Sequence, residues 1–173
     1  MSGAELALVG AVAAERIVEL ALARRNVAWA LGRGGMEHGR AHYPFIVALH
    51  VALLAGCLAE LALTARGFDA ARFAAGTAAV VAAQGLRWWA ILTLGRRWNT
   101  RVIVIPELPL VTGGPFRFLR HPNYLAVAVE VAALPVACGA WATAVVCTAL
   151  NGVLMAVRIP CEETALGIRA RRS

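Results

Sequence analysis

Apolar residues in this chain come in five long runs, separated by short polar clusters that hold most of the charge. A helix needs roughly 20 apolar residues to cross the hydrocarbon of a bilayer. The pattern therefore predicts five spanning helices, at residues 4–23, 44–65, 73–94, 122 to about 139, and 141–159. The first run is interrupted by Glu5, Glu15, Arg16 and Glu19. Glu15 and Glu19 lie four apart and share a helix face, which should look into the bundle rather than into lipid. An amphipathic helix lying in the interface is the other reading of this run. Residues 24–43 read as a loop on the bilayer surface, because glycines 32, 34, 35 and 39 argue against a continuous helix. Arg87, Trp88 and Trp89, near the end of the third run, read as interfacial anchors. Residues 95–121 form the longest stretch outside a run, with RVIVIP at 101–106 as a short strand in a small hairpin or lid. The last two runs are joined so closely that they must form an antiparallel hairpin, with Pro135 expected to kink the fourth near its end.

Composition supports one membrane-embedded domain covering 1–173. Of 173 residues, 60% are hydrophobic and only 16% charged, outside the usual range of a soluble domain. The net charge is +7, and no lysine contributes to it. The arginines stand at the ends of apolar runs, which fits membrane topology better than phosphate binding, so no nucleic acid partner is expected. Four arginines fall in 24–43, five in 95–121 and three after Glu163, against Arg66 and Arg72 on the other side. By the positive-inside rule the rich side is cytoplasmic, with the C-terminus there and the N-terminus outside. Cys57, Cys138, Cys147 and Cys161 lack any metal-site spacing and read as packing residues, with neither disulfide nor metal expected. The start of the chain lacks the basic segment and cleavage site of a signal peptide.

Two polar clusters then demand a function. GGPFRFLRHPNY, Gly113 to Tyr124, opens the fourth run, and RIPCEE, Arg158 to Glu163, closes the fifth. A hairpin brings Arg120, His121 and Tyr124 beside Arg158, Glu162 and Glu163 at one membrane surface. Such a set suits a zwitterionic cofactor that meets a lipid: carboxylates for its amino group, arginines for its carboxylate, apolar walls for the remainder. Taken singly, each arginine could be a snorkelling anchor and His121 a simple helix cap.

GPFRFLRHPNY followed by RIPCEETAL resembles the signature of the isoprenylcysteine carboxyl methyltransferase family, grouped with membrane phospholipid methyltransferases that share R-H-P-x-Y and E-E elements. ERIVELALARRN, GGMEHGRAHYPFIVALH and LGRRWNTRVIVIP resemble one bacterial branch, whose members accompany type III polyketide synthases and methylate alkylpyrones or alkylresorcinols. The resemblance implies an S-adenosylmethionine-dependent methyltransferase in a bacterial inner membrane, its cofactor held by the half of the chain at about 95–173. His121, Pro122 and Tyr124, with Arg120 before them, match the first element as cofactor-binding residues. Glu162 and Glu163 match the paired glutamates, and Arg158 the arginine that would orient the acceptor. Phe116 stands where many relatives carry Tyr, and Pro160 is expected to bend the helix end and move Glu162.

The acceptor implied is a lipophilic hydroxyl or carboxylate whose tail enters sideways from membrane lipid. A carboxylate or hydroxypyrone is already acidic, whereas a resorcinol hydroxyl, near the tyrosine pKa of about 10, benefits from a base. His38 and His42 on the glycine-rich connector are the candidates. Two other readings stay open: a membrane reductase using a nicotinamide cofactor, although no Gly-rich fingerprint is present, and a non-catalytic membrane subunit. The sequence carries no signal of oligomeric state.

Overall fold

The structure, a computed structural model, describes residues 2–64, 67–106 and 108–167. Arg66 and the arginines after Glu163, counted in the charge argument, lie outside the described residues. Five helices account for most of the chain: α1 (Gly3–Leu31), α2 (Tyr43–Leu63), α3 (Ala70–Leu94), α4 (Pro122–Ala137) and α5 (Trp141–Ala165). Two short strands, β1 (Met36–His38) and β2 (Val102–Val104), pair antiparallel with Glu37 opposite Ile103. Three of the helices, α2, α3 and α5, are long and apolar enough to cross a membrane. Large apolar side chains such as Leu92, Val145 and Val153 are exposed on them, as lipid contact requires. At 16 residues α4 is a shorter apolar helix, and α1 is interrupted by charge. The expectation of five spans thus becomes five helices, of which three meet the length and hydropathy of a span.

Helix α1 runs eight residues past its predicted end. Ala23, Asn26 and Ala30 repeat at helical spacing and are buried. Asn26 Nδ2 donates to Trp98 O at 2.7 Å and to Gly95 O at 3.3 Å, so the segment expected to be loop is held as helix against the α3–β2 connection. The glycine cluster begins only at Gly32 and stops the helix there. The strand predicted at RVIVIP is present, but its partner is the first connector rather than a return of its own segment. Helix α5 likewise continues through Pro160 to Ala165, so the proline does not end it.

Arg87 is a correction to the reading of an interfacial anchor. It is 5% exposed and grips Glu19 of α1 through Nε and, at 2.7 Å, Nη2. Arg16 reaches Glu19 at 2.7 Å and Glu130 of α4 at 2.9 Å, while Gln84 of α3 donates to Glu130 at 2.8 Å. Trp88 donates to Glu15. The polar face of α1 therefore looks into the bundle, as its spacing predicted. An apolar cluster packs beside this network, with Val9, Leu53, Val131, Leu134 and the cysteines Cys57, Cys138 and Cys147.

Helices α3 and α4 pack closely where Gly76 meets Ala137; a Cβ on Gly76 would lie 2.6 Å from that of Ala137. At the same end of the bundle Glu60 of α2 accepts from the backbone N–H and hydroxyl of Thr143, at 2.6 and 2.7 Å, at the start of α5. A carboxylate there complements the positive end of the helix dipole. Both predicted features of the α4–α5 pair, the hairpin and its tight turn, are present.

Replacing Arg87 by Leu should strand Glu19 without its main partner and cost about 3–5 kcal/mol, read as a lower unfolding midpoint in detergent. Removing both charges, Glu19→Leu with Arg87→Leu, should recover part of that loss; a double variant as unstable as the single would show that the pair is not what holds α1 to α3.

Candidate functional site

At the other end of the bundle meet the C-terminal end of α5, the N-terminal end of α4 and both connectors. Pro122 occupies the first turn of α4, where its missing N–H costs nothing. His121, the residue before it, makes no capping bond with its side chain; its Nε2 instead lies 3.2 Å from Glu163 Oε1. Arg120 approaches the same carboxylate at 3.9 Å. Glu162 and Glu163 are adjacent on a helix, so they point in directions about 100° apart and take different partners. Glu162 accepts from the Tyr124 hydroxyl. That hydroxyl in turn accepts from Arg158 Nε at 3.0 Å, and Arg158 Nη2 donates to Thr100 O. Helix α5 continues through Pro160 and keeps Glu162 within reach of Tyr124.

Tyr124 and Arg158 are the hinge between two environments. On one side stand Glu162 and Glu163 with His121 and Arg120. On the other, both residues line a cavity of about 160 Å³ bordered by all five helices and the 98–100 segment. An apolar cavity of about 150 Å³ can hold one benzene-sized ring. Its walls include Ile46, Leu54, Val127 and Met155, while Leu20, Val47 and Val51 sit on its rim and are exposed on the outer faces of α1 and α2. These two helices touch less than α3 and α4 do.

Of the residues singled out in the sequence, Arg120, His121, Pro122, Tyr124, Arg158, Glu162 and Glu163 come together at this end. His38 and His42 join them only from behind. They border, with Arg158, Tyr43 and Arg101, a cleft of about 10 Å³, room for about one water. Neither lines the larger cavity. The connector that carries them rests on α5 because Gly39 has no side chain. Its φ is +61°, and a Cβ there would lie 2.8 Å from Cys161 Sγ.

Several residues that are not candidates from the sequence also line the cavity. Asn99, with both amide atoms buried and unpartnered, Asn123 Oδ1 and Trp98 Nε1 all belong to its wall. So does His50, the one histidine on it. Asn123 lies inside the RHPNY element, and a histidine within an apolar run is itself a signal of function. Asn99 had no such signal.

The family description "Isoprenylcysteine carboxyl methyltransferase (ICMT) family" matches residues 75–168. The chain belongs to this family. The match takes in α3, α4 and α5, with every residue of the Tyr124–Arg158–Glu162 group, and together with the apolar helices it marks a membrane methyltransferase. Two relatives extend the similarity over nearly the full chain. One is an uncharacterized protein, YpbQ, of Bacillus subtilis (strain 168), 34% identical over 160 residues, which are 92% of this chain and 94% of the relative. The other is an uncharacterized protein of Haemophilus influenzae, 26% identical over 156 residues, 90% of each. No solved structure matches the chain significantly.

Tyr124→Phe should leave Arg158 Nε and Glu162 without their shared hydroxyl, at a cost of about 1–3 kcal/mol. Thermal unfolding of the two proteins in the same detergent measures this, and an unchanged midpoint would mean that the hydroxyl bridges nothing.

Proposed function

We propose that the protein transfers a methyl group from S-adenosylmethionine to an oxygen of a lipophilic acceptor, an alkylpyrone or alkylresorcinol hydroxyl in preference to an isoprenylcysteine-type carboxylate. One observation carries the reading: Tyr124 and Arg158 join a charged cluster at the helix ends to a largely apolar cavity whose lining includes exposed apolar side chains of α1 and α2. The donor set fits the cofactor. Glu162 and Glu163 suit its ammonium group, Arg120 and His121 its carboxylate, and the unpartnered amide of Asn99 and Oδ1 of Asn123 suit polar edges of a planar group. When bound, the cofactor supplies a methyl group activated by a positive sulfur.

The chain's own part is alignment and exclusion of water. Arg158, fixed by Tyr124 and Thr100 O, places a guanidinium at the cavity edge, where it would hold and stabilise an anionic acceptor oxygen. The tail would enter between α1 and α2, across the exposed side chains of Leu20, Val47 and Val51. A proton passing from the acceptor to His38 or His42 would need a water in the small cleft beside Arg158. The arginine-rich connectors lie at this end, so the charge distribution supports a cytoplasmic site, with the N-terminus outside, in a bacterial inner membrane.

Titration calorimetry of detergent-purified protein with S-adenosylmethionine and its demethylated product should show micromolar binding. The variant Glu162→Gln with Glu163→Gln should bind at least about tenfold more weakly. Undiminished affinity would remove both glutamates from the site. Binding of a nicotinamide cofactor instead would favour a membrane reductase, and silence from every cofactor a non-catalytic subunit.

A further inference from the structure

Arg158 is held by acceptors that its own helix does not supply. Its Nε donates to the Tyr124 hydroxyl at 3.0 Å, and Nη2 donates to Thr100 O. Tyr124 stands on the first turn of α4, which fixes its backbone. Thr100 belongs to no helix or strand; it lies in the stretch between the turn at 95–97 and β2. A guanidinium on a long side chain samples many rotamers unless its partners are fixed. Whatever sets the Thr100 carbonyl therefore sets the Arg158 head group.

What holds Thr100 comes from the start of the chain. On one side Asn26 of α1 donates to Trp98 O at 2.7 Å. On the other, β2 begins at Val102, opposite His38 of β1. A two-stranded sheet is marginally stable even with longer strands, and these have three residues each. A side-chain brace crosses them. Glu37 is opposite Ile103, so Arg101 takes the diagonal position on the same face. Its Nη1 lies 3.4 and 3.3 Å from the two Glu37 carboxylate oxygens. The Arg101 guanidinium also lies over Tyr43, 4.8 Å from the ring centroid. Glu37, Tyr43, Arg101 and Arg158 border the same small cleft. Glu37 and Tyr43 precede the stretch 75–168 that the family description matches, whereas Arg158 lies within it. The N-terminal part of the chain thus adds a brace beside a residue of the family's own segment.

This brace is poorly suited to holding the fold together. The Arg101 side chain is 35% exposed and that of Glu37 17%, and ion pairs with such access to water add little to stability. Its place, one residue from the carbonyl that Arg158 uses, suits alignment instead.

We propose that Glu37 and Arg101 are positioning residues: their pairing sets the Thr100 carbonyl, and through it the Arg158 guanidinium, where an acceptor oxygen is held. The role in methyl transfer rests on the reading that Arg158 holds that oxygen; the link from Glu37 to Arg158 does not. Breaking the pair loosens the 99–101 stretch and leaves Arg158 with Tyr124 as its remaining hold.

The chain contains two tyrosines, and they report the two ends of the link. Tyr43 lies under Arg101, and the Arg158 guanidinium lies 5.6 Å from the Tyr124 ring centroid. The full chain labelled with 3-fluorotyrosine, in lipid nanodiscs without any ligand, should give two fluorine resonances, assigned with Tyr43→Phe and Tyr124→Phe. Arg158→Gln marks where the Tyr124 resonance falls once the guanidinium is gone. Glu37→Ala and Arg101→Leu should each move that resonance about half of the way there or further, as an exchanging population would. Arg101→Lys, which can still pair with Glu37, should leave it near its original position. The first two substitutions change the local charge in opposite senses. A field effect alone would shift the resonance in opposite directions, whereas release of Arg158 shifts it in one. Opposite shifts, an unmoved Tyr124 resonance, or a fall in unfolding midpoint as large as that of Arg87→Leu would each overturn the inference. With a 5-alkylresorcinol as acceptor, both variants should turn over about tenfold more slowly, with affinity for S-adenosylmethionine unchanged. Full turnover in variants whose Tyr124 resonance has moved would overturn the positioning role. If the resonance moves as expected while S-adenosylmethionine fails to bind, the brace stands and the methyltransferase reading falls.

Discussion

The ion pair between Glu19 and Arg87 ties α1 to α3 at a depth where neither charge has bulk water to turn to. A pair in such surroundings is worth little more than an apolar pair of the same size, but either member alone is very expensive. The arrangement therefore acts as a constraint on assembly. A bundle in which α1 is rotated or shifted leaves Glu19 without Arg87 and Arg16 without Glu130. Apolar packing against lipid-like neighbours discriminates poorly between helix arrangements, so a unique arrangement has to be specified by polar contacts of this sort. Once α1 is fixed, its extended end carries Asn26 to the backbone of the 95–98 turn, and that turn delivers Trp98, Asn99 and Thr100 to the cavity wall.

Much of this was legible in the sequence. Runs of apolar residues gave the helices, because their period and length are set by the bilayer. The polar density of 113–124 and 158–163 gave the charged cluster, since the closely joined last two helices leave those segments no other place to go. The inward face of Glu15 and Glu19 followed from their spacing. What was not legible depended on contacts between distant segments. Arg87 beside Trp88 and Trp89 has the composition of an interfacial belt, and only the presence of Glu19 opposite shows otherwise. Residues 24–31 have no breaker among them, yet a neighbouring run of arginines and glycines drew the boundary too early. β1 could not be paired with β2 from local pattern, because the partner lies across two helices. His50 stands inside the second apolar run, but nothing in the sequence says that a cavity lies on its side of α2.

The candidate site divides its ligands by solvent. Residues able to hold a charged, water-borne molecule cluster at the helix ends, and residues able to hold a ring and tail surround the cavity below. Tyr124 and Arg158 belong to both groups, so a change at either would be felt in both. Glu162 and Glu163 keep their separate partners because they are neighbours on a helix, and that separation lets one carboxylate stay tied to the cavity wall while the other faces His121 and Arg120.

Entry between α1 and α2, as proposed, has a consequence for how concentration is counted. A molecule that arrives through Leu20, Val47 and Val51 comes from the bilayer, so the quantity that fills the cavity is the fraction of lipid molecules that are ligand. Its amount per litre of water hardly matters. Adding inert lipid to a fixed mixture dilutes such a ligand on the surface while leaving its bulk concentration constant. For a protein filled in this way the membrane would be the reaction vessel, and its area the volume.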